Sequence, residues 1–407
     1  MTVPFDPLED LALADLRRRT SQKWRGHSGD VLPLWVAEMD VRLAPPIEEA
    51  LHAALSSGDT GYASGAGFSA LAEAVASFAA ERWRWDGFPV GATRVFSDVM
   101  TGIVEVLEVS SSPGDAVVVT SPVYAPFFSY IGHSGREVVE TPLSLEGRLD
   151  LDAIEEALQR LRDQRRRTVL LLCNPHNPTG TVPTRAELEG VAALAQRYGV
   201  RVLADEIHGP LTLAGAVFTP YLSVAGADDA IAFTSASKGW NLAGLKAALA
   251  TAGPAAARDL AGVRAEIDYA PSHLGVLAHT VAFREGGDWL DALLASLDRR
   301  RTLLGELLAE HLPQLSWRPP EGTYLAWIDC RALALSETGP RDSFAVATDL
   351  DGAARVFADE AGVAVNSGHI FGRGGAGFIR LNFATSAEIL TTAVSRMGDA
   401  VRAPGAH

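Results

Sequence analysis

Thr168-Val-Leu-Leu-Leu-Cys173 passes without a break into Asn174-Pro175-His176-Asn177-Pro178-Thr179-Gly180, and the reading of that junction decides the fold. A short unbroken apolar run has no polar face to turn to water. It reads as a strand covered on both sides, as in a parallel sheet. The Asn, Pro and Gly residues that follow favour a turn. The arrangement returns twice downstream: Val202–Ala204 leads into Asp205-Glu206-Ile207-His208, and Ala230–Phe233 leads, past Thr234, into Ser235-Ala236-Ser237-Lys238. Ala116–Thr120, after a Pro-Gly-Asp turn, is a fourth run. Between them Thr184, with Glu187 three residues on, begins a helix through a capping box, and Gly199 ends it. Strands alternating with helices predict an α/β fold: a large, mostly parallel mixed sheet flanked by helices. Ligands bind such sheets at the carboxyl ends of the strands, where these polar tails collect.

Outward from this centre, Pro46 opens a helix whose Ile47, Ala50, Leu51, Ala54 and Leu55 share a face. Asp288–Leu312 reads as a long helix leading away from the large domain. TYLAWID, a helix ending near Gly362, and FIRLNFA follow as a small α+β unit, with the tail APGAH expected to be disordered. A chain of 407 residues is long for one core, so a large and a smaller domain are expected.

The net charge of −15 opposes a nucleic-acid or anionic-membrane partner. Cys173 and Cys330 stand far apart with no further cysteine, which gives neither a disulfide framework nor a metal site and suits a reducing compartment. MTVPFDPLED lacks the basic start of a signal peptide, and no apolar run reaches the roughly 18 residues of a membrane helix. A cytoplasmic, soluble protein is expected.

Among 35 basic residues only Lys23, Lys238 and Lys246 are lysines, and two of these share SASKGWNLAGLK. An amine is wanted there that a guanidinium cannot replace, because lysine can lose its proton and form imines. A lysine, an acid and an asparagine at the ends of neighbouring strands fit pyridoxal 5′-phosphate (PLP). That cofactor needs a lysine for its aldehyde, an anion beside its pyridine nitrogen, a donor toward its phenolate, and amides and hydroxyls around its phosphate. Lys238, Asp205, Asn177, and the group Thr101, Gly102 and Ser235 fill those roles in order. Gly102 and Ile103 open a helical pattern whose N-terminus would face the phosphate.

NPHNPTG, ADEIH and SASKGWNLAGLK together resemble the class I/II aminotransferases, fold type I of the PLP enzymes. With LWVAEMD, SPVYAPFF, the His of DEIH, GTYLAWIDC and GFIRLNFA, the chain more narrowly resembles the MalY/PatB group of cystathionine β-lyases, from about Leu32 to Ala384. The resemblance implies that Tyr124 lies over the cofactor ring and assists proton transfer, and that His208 joins the cofactor site. It places Lys246 near the phosphate and makes Arg380 the seat of the substrate α-carboxylate, with Trp35 and Ala37 beside the substrate. Tyr62 would reach the phosphate of a neighbouring subunit, which implies a homodimer. The implied division is 1–48 as part of a small domain, 49–287 as the PLP-binding domain and 288–407 as the rest of the small domain. The implied activity is a carbon–sulfur β-lyase acting on L-cystathionine or a cysteine S-conjugate, with an aminotransferase as the alternative and a binding role as a third reading.

Glu38, Gly239 and HGPL depart from the commoner pattern of the group and bear on substrate preference. His208 and His176 are open to a second reading as hydrogen-bonded core histidines, and Trp35 as a core aromatic. Gly372–Gly377 matches the G-x-G-x-x-G dinucleotide pattern, but it precedes a strand instead of following one, so it reads as a loop leading to Arg380.

Overall fold

The computed structural model of the chain describes residues 5–27, 29–335 and 349–402. A seven-stranded sheet runs in the order Thr93–Phe96, Ala248–Ala252, Ala230–Thr234, Arg201–Asp205, Thr168–Cys173, Ala116–Ser121, Glu137–Pro142. Its strands are parallel except Ala248–Ala252, which is antiparallel to both neighbours. The four runs read from sequence are therefore strands, and the sheet is the mixed, mostly parallel one expected.

Alternation within each run explains why both faces are covered. Val117, Val119 and Leu171 join one buried cluster with Ile103 and Phe233, while Val118, Leu170 and Leu172 join another with Ile154 and Leu188. Each fully buried aliphatic side chain contributes about 1.5–3 kcal/mol relative to exposure. The Arg185–Tyr198 helix has the capping box at Thr184 and Glu187, and Gly199 closes it at φ +65°, where a Cβ would be strained.

The small sheet is antiparallel, in the order Asn366–Ser367, Phe378–Asn382, Leu325–Asp329, Ser316–Trp317. Leu32–Pro33 pairs with Val363–Ala364, so the two ends of the chain meet. The long helix spans Gly287–His311 and the last helix before Gly362 spans Gly352–Asp359. Gly372–Gly377 leads into the Phe378–Asn382 strand and opens no helix.

Two expectations need correction. The Pro45–Ser57 helix buries Ile47 and Ala54, but Leu55 is 54% exposed and does not share the packed face. The Val99–Ser110 helix starts three residues before Gly102, because the Asp98 carboxylate caps it by accepting from Thr101 N at 2.8 Å. The tail APGAH lies outside the described residues.

Candidate active site

Parallel register places the sequence motifs side by side: Cys173 pairs with Asp205, and Asp205 with Phe233. The segments leaving those three strands therefore share one edge of the sheet. They surround a cavity of about 210 Å³ whose lining includes Lys238, Asp205, Asn177, Tyr124, His208 and Lys246. A larger crevice of about 610 Å³ lies between Leu143–Gly147 and Trp327 and contains none of the residues read from sequence as site groups.

Lys238 sits on the one-turn helix Ala236–Gly239, whose Ser235 Oγ accepts from Ser237 N at 3.1 Å. Burial, then the Arg380 cation, bring its ammonium down to about 8. Near neutral pH it thus holds a usable fraction of free amine. Asp205 accepts from Ile207 N at 3.1 Å, and burial pushes its carboxyl up to about 6. Tyr124 is pushed up to about 12, first by burial, so its phenol keeps its proton and acts as a donor. Burial, then Lys238 and Arg380, bring His208 down to about 3, and its Nδ1 is buried without a partner. It is a neutral imidazole facing the cavity with hydrogen-bonding capacity to spare.

Arg380 is buried behind Asn177. It donates to Asn177 Oδ1 at 3.0 Å, Asn366 Oδ1 at 2.6 Å and the Trp35 carbonyl at 3.0 Å, and lies 4.9 Å over the Phe371 ring. All three acceptors are neutral amide oxygens, and its Nε has no partner. Burial lowers the guanidinium to about 10, which leaves it charged at neutral pH. A buried cation satisfied only by amides is a seat for a carboxylate.

The strap Trp35–Met39 runs beneath these groups, and side chains from distant parts of the chain hold its backbone. Asn382 donates to the Val36 and Glu38 carbonyls at 2.7 and 2.6 Å, and Asn241 exchanges two hydrogen bonds with Met39. The Ala37 carbonyl accepts from Lys238 Nζ at 2.9 Å. Lys23 and Asp40, both 1% exposed, form an ion pair of 2.7 Å next to the strap.

The placement differs from the sequence reading at four residues. Thr101 and Gly102 lie off the cavity, and Val99 and Met100 line it instead; a Cβ on Gly102 would come 3.0 Å from Phe233, so that glycine serves packing. Ser235 is buried behind the cavity and donates to the Ala247 carbonyl, while Ser237 lines it. Trp35 meets the site through its carbonyl, and its ring packs edge-on to His27 at 5.2 Å. The reading of Tyr62 concerns a neighbouring subunit's site; here the residue is 81% exposed, does not line this cavity and lies edge-on to Tyr269 at 6.1 Å. His176 does not line the cavity; its ring bridges Thr179 and Thr120, the core role left open for it. Sequence reading missed the Asp98 cap, whose carboxylate also meets Lys246 at 3.2 Å.

The donor set fits PLP: an amine for its aldehyde, a buried carboxylate for its ring nitrogen, and Lys246 with the Val99–Ser110 helix N-terminus for its phosphate. The unpartnered His208 Nδ1 leaves a polar atom for such a group to satisfy.

Glu206, next to Asp205, points away from this chemistry. It accepts from Asn174 Nδ2 at 3.0 Å and Tyr221 N at 2.7 Å, and burial pushes it up to about 8. The folded state binds this proton more tightly than the unfolded chain, so its share of stability falls as pH rises from the ordinary carboxylate range through about 8. Glu206→Gln copies the protonated form. It should hold the melting temperature at pH 7 within a few degrees and flatten its decline toward alkaline pH, as read by circular dichroism melts.

The sequence pattern described as "Aminotransferase class I and II" matches residues 30–397. A Mycobacterium tuberculosis protein provisionally named cystathionine beta-lyase is 56% identical over 399 residues, covering 96% of this chain and 97% of that one. The Bacillus subtilis protein named cystathionine beta-lyase PatB is 32% identical, with 90% and 92% covered. Among solved structures, a Corynebacterium diphtheriae protein provisionally described as a PLP-dependent β-cystathionase superposes with a TM-score of 0.86 at 34% identity, over 96% of this chain and 98% of that one. Those matches, with a mixed sheet whose carboxyl edge holds Lys238, Asp205 and Asn177, establish that the chain belongs to the family of class I and II aminotransferases.

Proposed function

We propose that this chain is a PLP-dependent carbon–sulfur β-lyase that converts L-cystathionine, or a related cysteine S-conjugate, to a thiol, pyruvate and ammonia. One observation carries the reading: a lysine amine with a pKa of about 8 lines the small cavity, and a buried arginine without a carboxylate partner is hydrogen-bonded to Asn177 of the same lining. When bound, PLP supplies an electron sink for the bond broken at the substrate α-carbon. Arg380 grips the α-carboxylate, and Asn177 and Asn366 keep its guanidinium oriented. Lys238, as free amine, takes the α-proton, and its pKa lets it accept and return that proton near neutral pH. Asp205 keeps a proton on the ring nitrogen. Tyr124, a phenol at working pH, donates to the departing thiolate. Water then completes the release of pyruvate and ammonia.

Elimination, rather than transfer of the amino group, is favoured by the names of the relatives that are 56% and 32% identical. The experiment is pyruvate release from L-cystathionine with no keto acid supplied. A yellow protein that releases pyruvate and thiol over many turnovers supports the reading. One that turns over only when a keto acid is added is an aminotransferase.

Three further readings belong to the proposal. The chain divides into 1–48, 49–287 and 288–407, with the first and last parts forming the small domain. Tyr62 serves the phosphate site of a second copy, which its exposure beside the 71%-exposed Tyr269 supports. The enzyme works in the cytoplasm; no described helix is long and apolar enough to cross a membrane.

A further inference from the structure

Three distant parts of the chain meet on one oxygen atom. The Ala37 carbonyl, in the N-terminal strap, accepts from Lys238 Nζ at 2.9 Å and from Tyr324 Oη at 2.9 Å. Tyr324 is fully buried at the entry to the Leu325–Asp329 strand, with its ring 6.3 Å from that of His208. Burial pushes its phenol far up, so it stays a donor at any working pH.

We propose that Tyr324 is a positioning residue that sets the basicity of Lys238 through the shared Ala37 carbonyl. This rests on Lys238 being the reacting amine of the function proposed above. A carbonyl oxygen has two lone pairs. Once one is taken by the phenol, the oxygen is a poorer acceptor for the ammonium, and the phenol proton adds a positive dipole end beside it. Both effects favour the neutral amine over the charged one. The strap cannot swing away to relieve this, because Asn382 holds the carbonyls on either side of Ala37 and Asn241 holds Met39.

Other groups act on the same amine. Arg380 and Lys246 also disfavour its charge, while Glu38 and Asp205 favour it. His208 is neutral and Tyr124 a phenol. Removing one hydroxyl from Tyr324 leaves all of these in place, so the carbonyl route can be isolated.

The test uses the full-length chain freed of cofactor. It is labelled briefly with acetic anhydride from about pH 6 to about pH 10, and acetylation of Lys238 is read by peptide mass spectrometry, since only the free amine reacts. Lys246, whose side chain is 55% exposed, serves as the reference amine in the same molecule. Tyr324→Phe should raise the Lys238 midpoint by roughly half to one pH unit and leave that of Lys246 in place. Tyr221→Phe, which removes another buried hydroxyl, should move neither. Tyr324→3-fluorotyrosine, a stronger donor of nearly the same shape, should lower the Lys238 midpoint and keeps the test decisive should the Phe variant fold poorly. A Lys238 midpoint that stays put or moves the opposite way in either Tyr324 variant overturns the proposal. In the cofactor-loaded enzyme the acid limb of kcat should follow the labelling midpoint. If the midpoint moves and that limb does not, Tyr324 keeps its role and Lys238 loses the part of proton carrier.

Discussion

Lys238→Ala should lower pyruvate release by about four orders of magnitude or more, because in the proposed mechanism one amine serves both covalent attachment and proton transfer. Nothing nearby can replace it. His208 is a neutral imidazole with a pKa of about 3, and Tyr124 keeps its proton to about 12, so neither is a competent base at neutral pH. Lys246 is engaged with Asp98. The fold should tolerate the change. The amine makes a hydrogen bond to Ala37, whose carbonyl Tyr324 continues to hold. Steady-state pyruvate assays with a circular dichroism melt check both halves. Lys238→Arg should be equally inactive, since a guanidinium stays protonated. Activity within tenfold of the parent in either variant would overturn the assignment.

Asp205→Asn should cost about a thousandfold in kcat, as expected when a buried charge preorganised for the reaction is neutralised. The same variant should be more stable than the parent in the absence of cofactor. Burial raises the Asp205 pKa from 3.8 to about 6, so the folded state binds the proton more tightly than the unfolded chain. Stability therefore falls as pH rises through that interval, and above about 6 the ionised carboxylate costs roughly 2–3 kcal/mol that an amide avoids. The variant should melt above the parent at pH 8, and the difference should vanish near pH 4. A parent more stable than the variant at pH 8 would show that the folded state compensates the carboxylate better than burial alone allows.

The central strands were legible because each is a continuous apolar run that ends in polar residues of one chemical kind. Lys238, Asp205 and Asn177 followed from that placement together with the scarcity of lysine. The helix bordering the cavity was read as opening at Gly102, three residues late. The apolar repeat from Gly102 onward hides the true start, and Asp98, which caps the helix, stands in sequence as half of an ordinary polar dipeptide, Ser97-Asp98. Trp35 was read as standing beside the substrate or as a core aromatic; its carbonyl is what meets Arg380, and no side-chain pattern reports a carbonyl. The antiparallel direction of Ala248–Ala252 was hidden too, since a buried run looks the same in either direction. Tyr324 stood inside a motif used for the resemblance, yet its role depends on a contact with Ala37, remote in sequence.

That carbonyl also bears on how the protein is made. On the ribosome Lys238 emerges well before Tyr324, Arg380 and Asn382, and until these arrive the Trp35–Met39 strap has, besides Lys238 itself, only Asn241 of the side chains named above to hold it. A nascent or prematurely ended chain therefore carries its reactive lysine without a finished pocket. Nonsense mutations anywhere upstream of Arg380 should behave as complete losses rather than as weakened enzymes, and synthesis must run almost to its end before any chemistry begins.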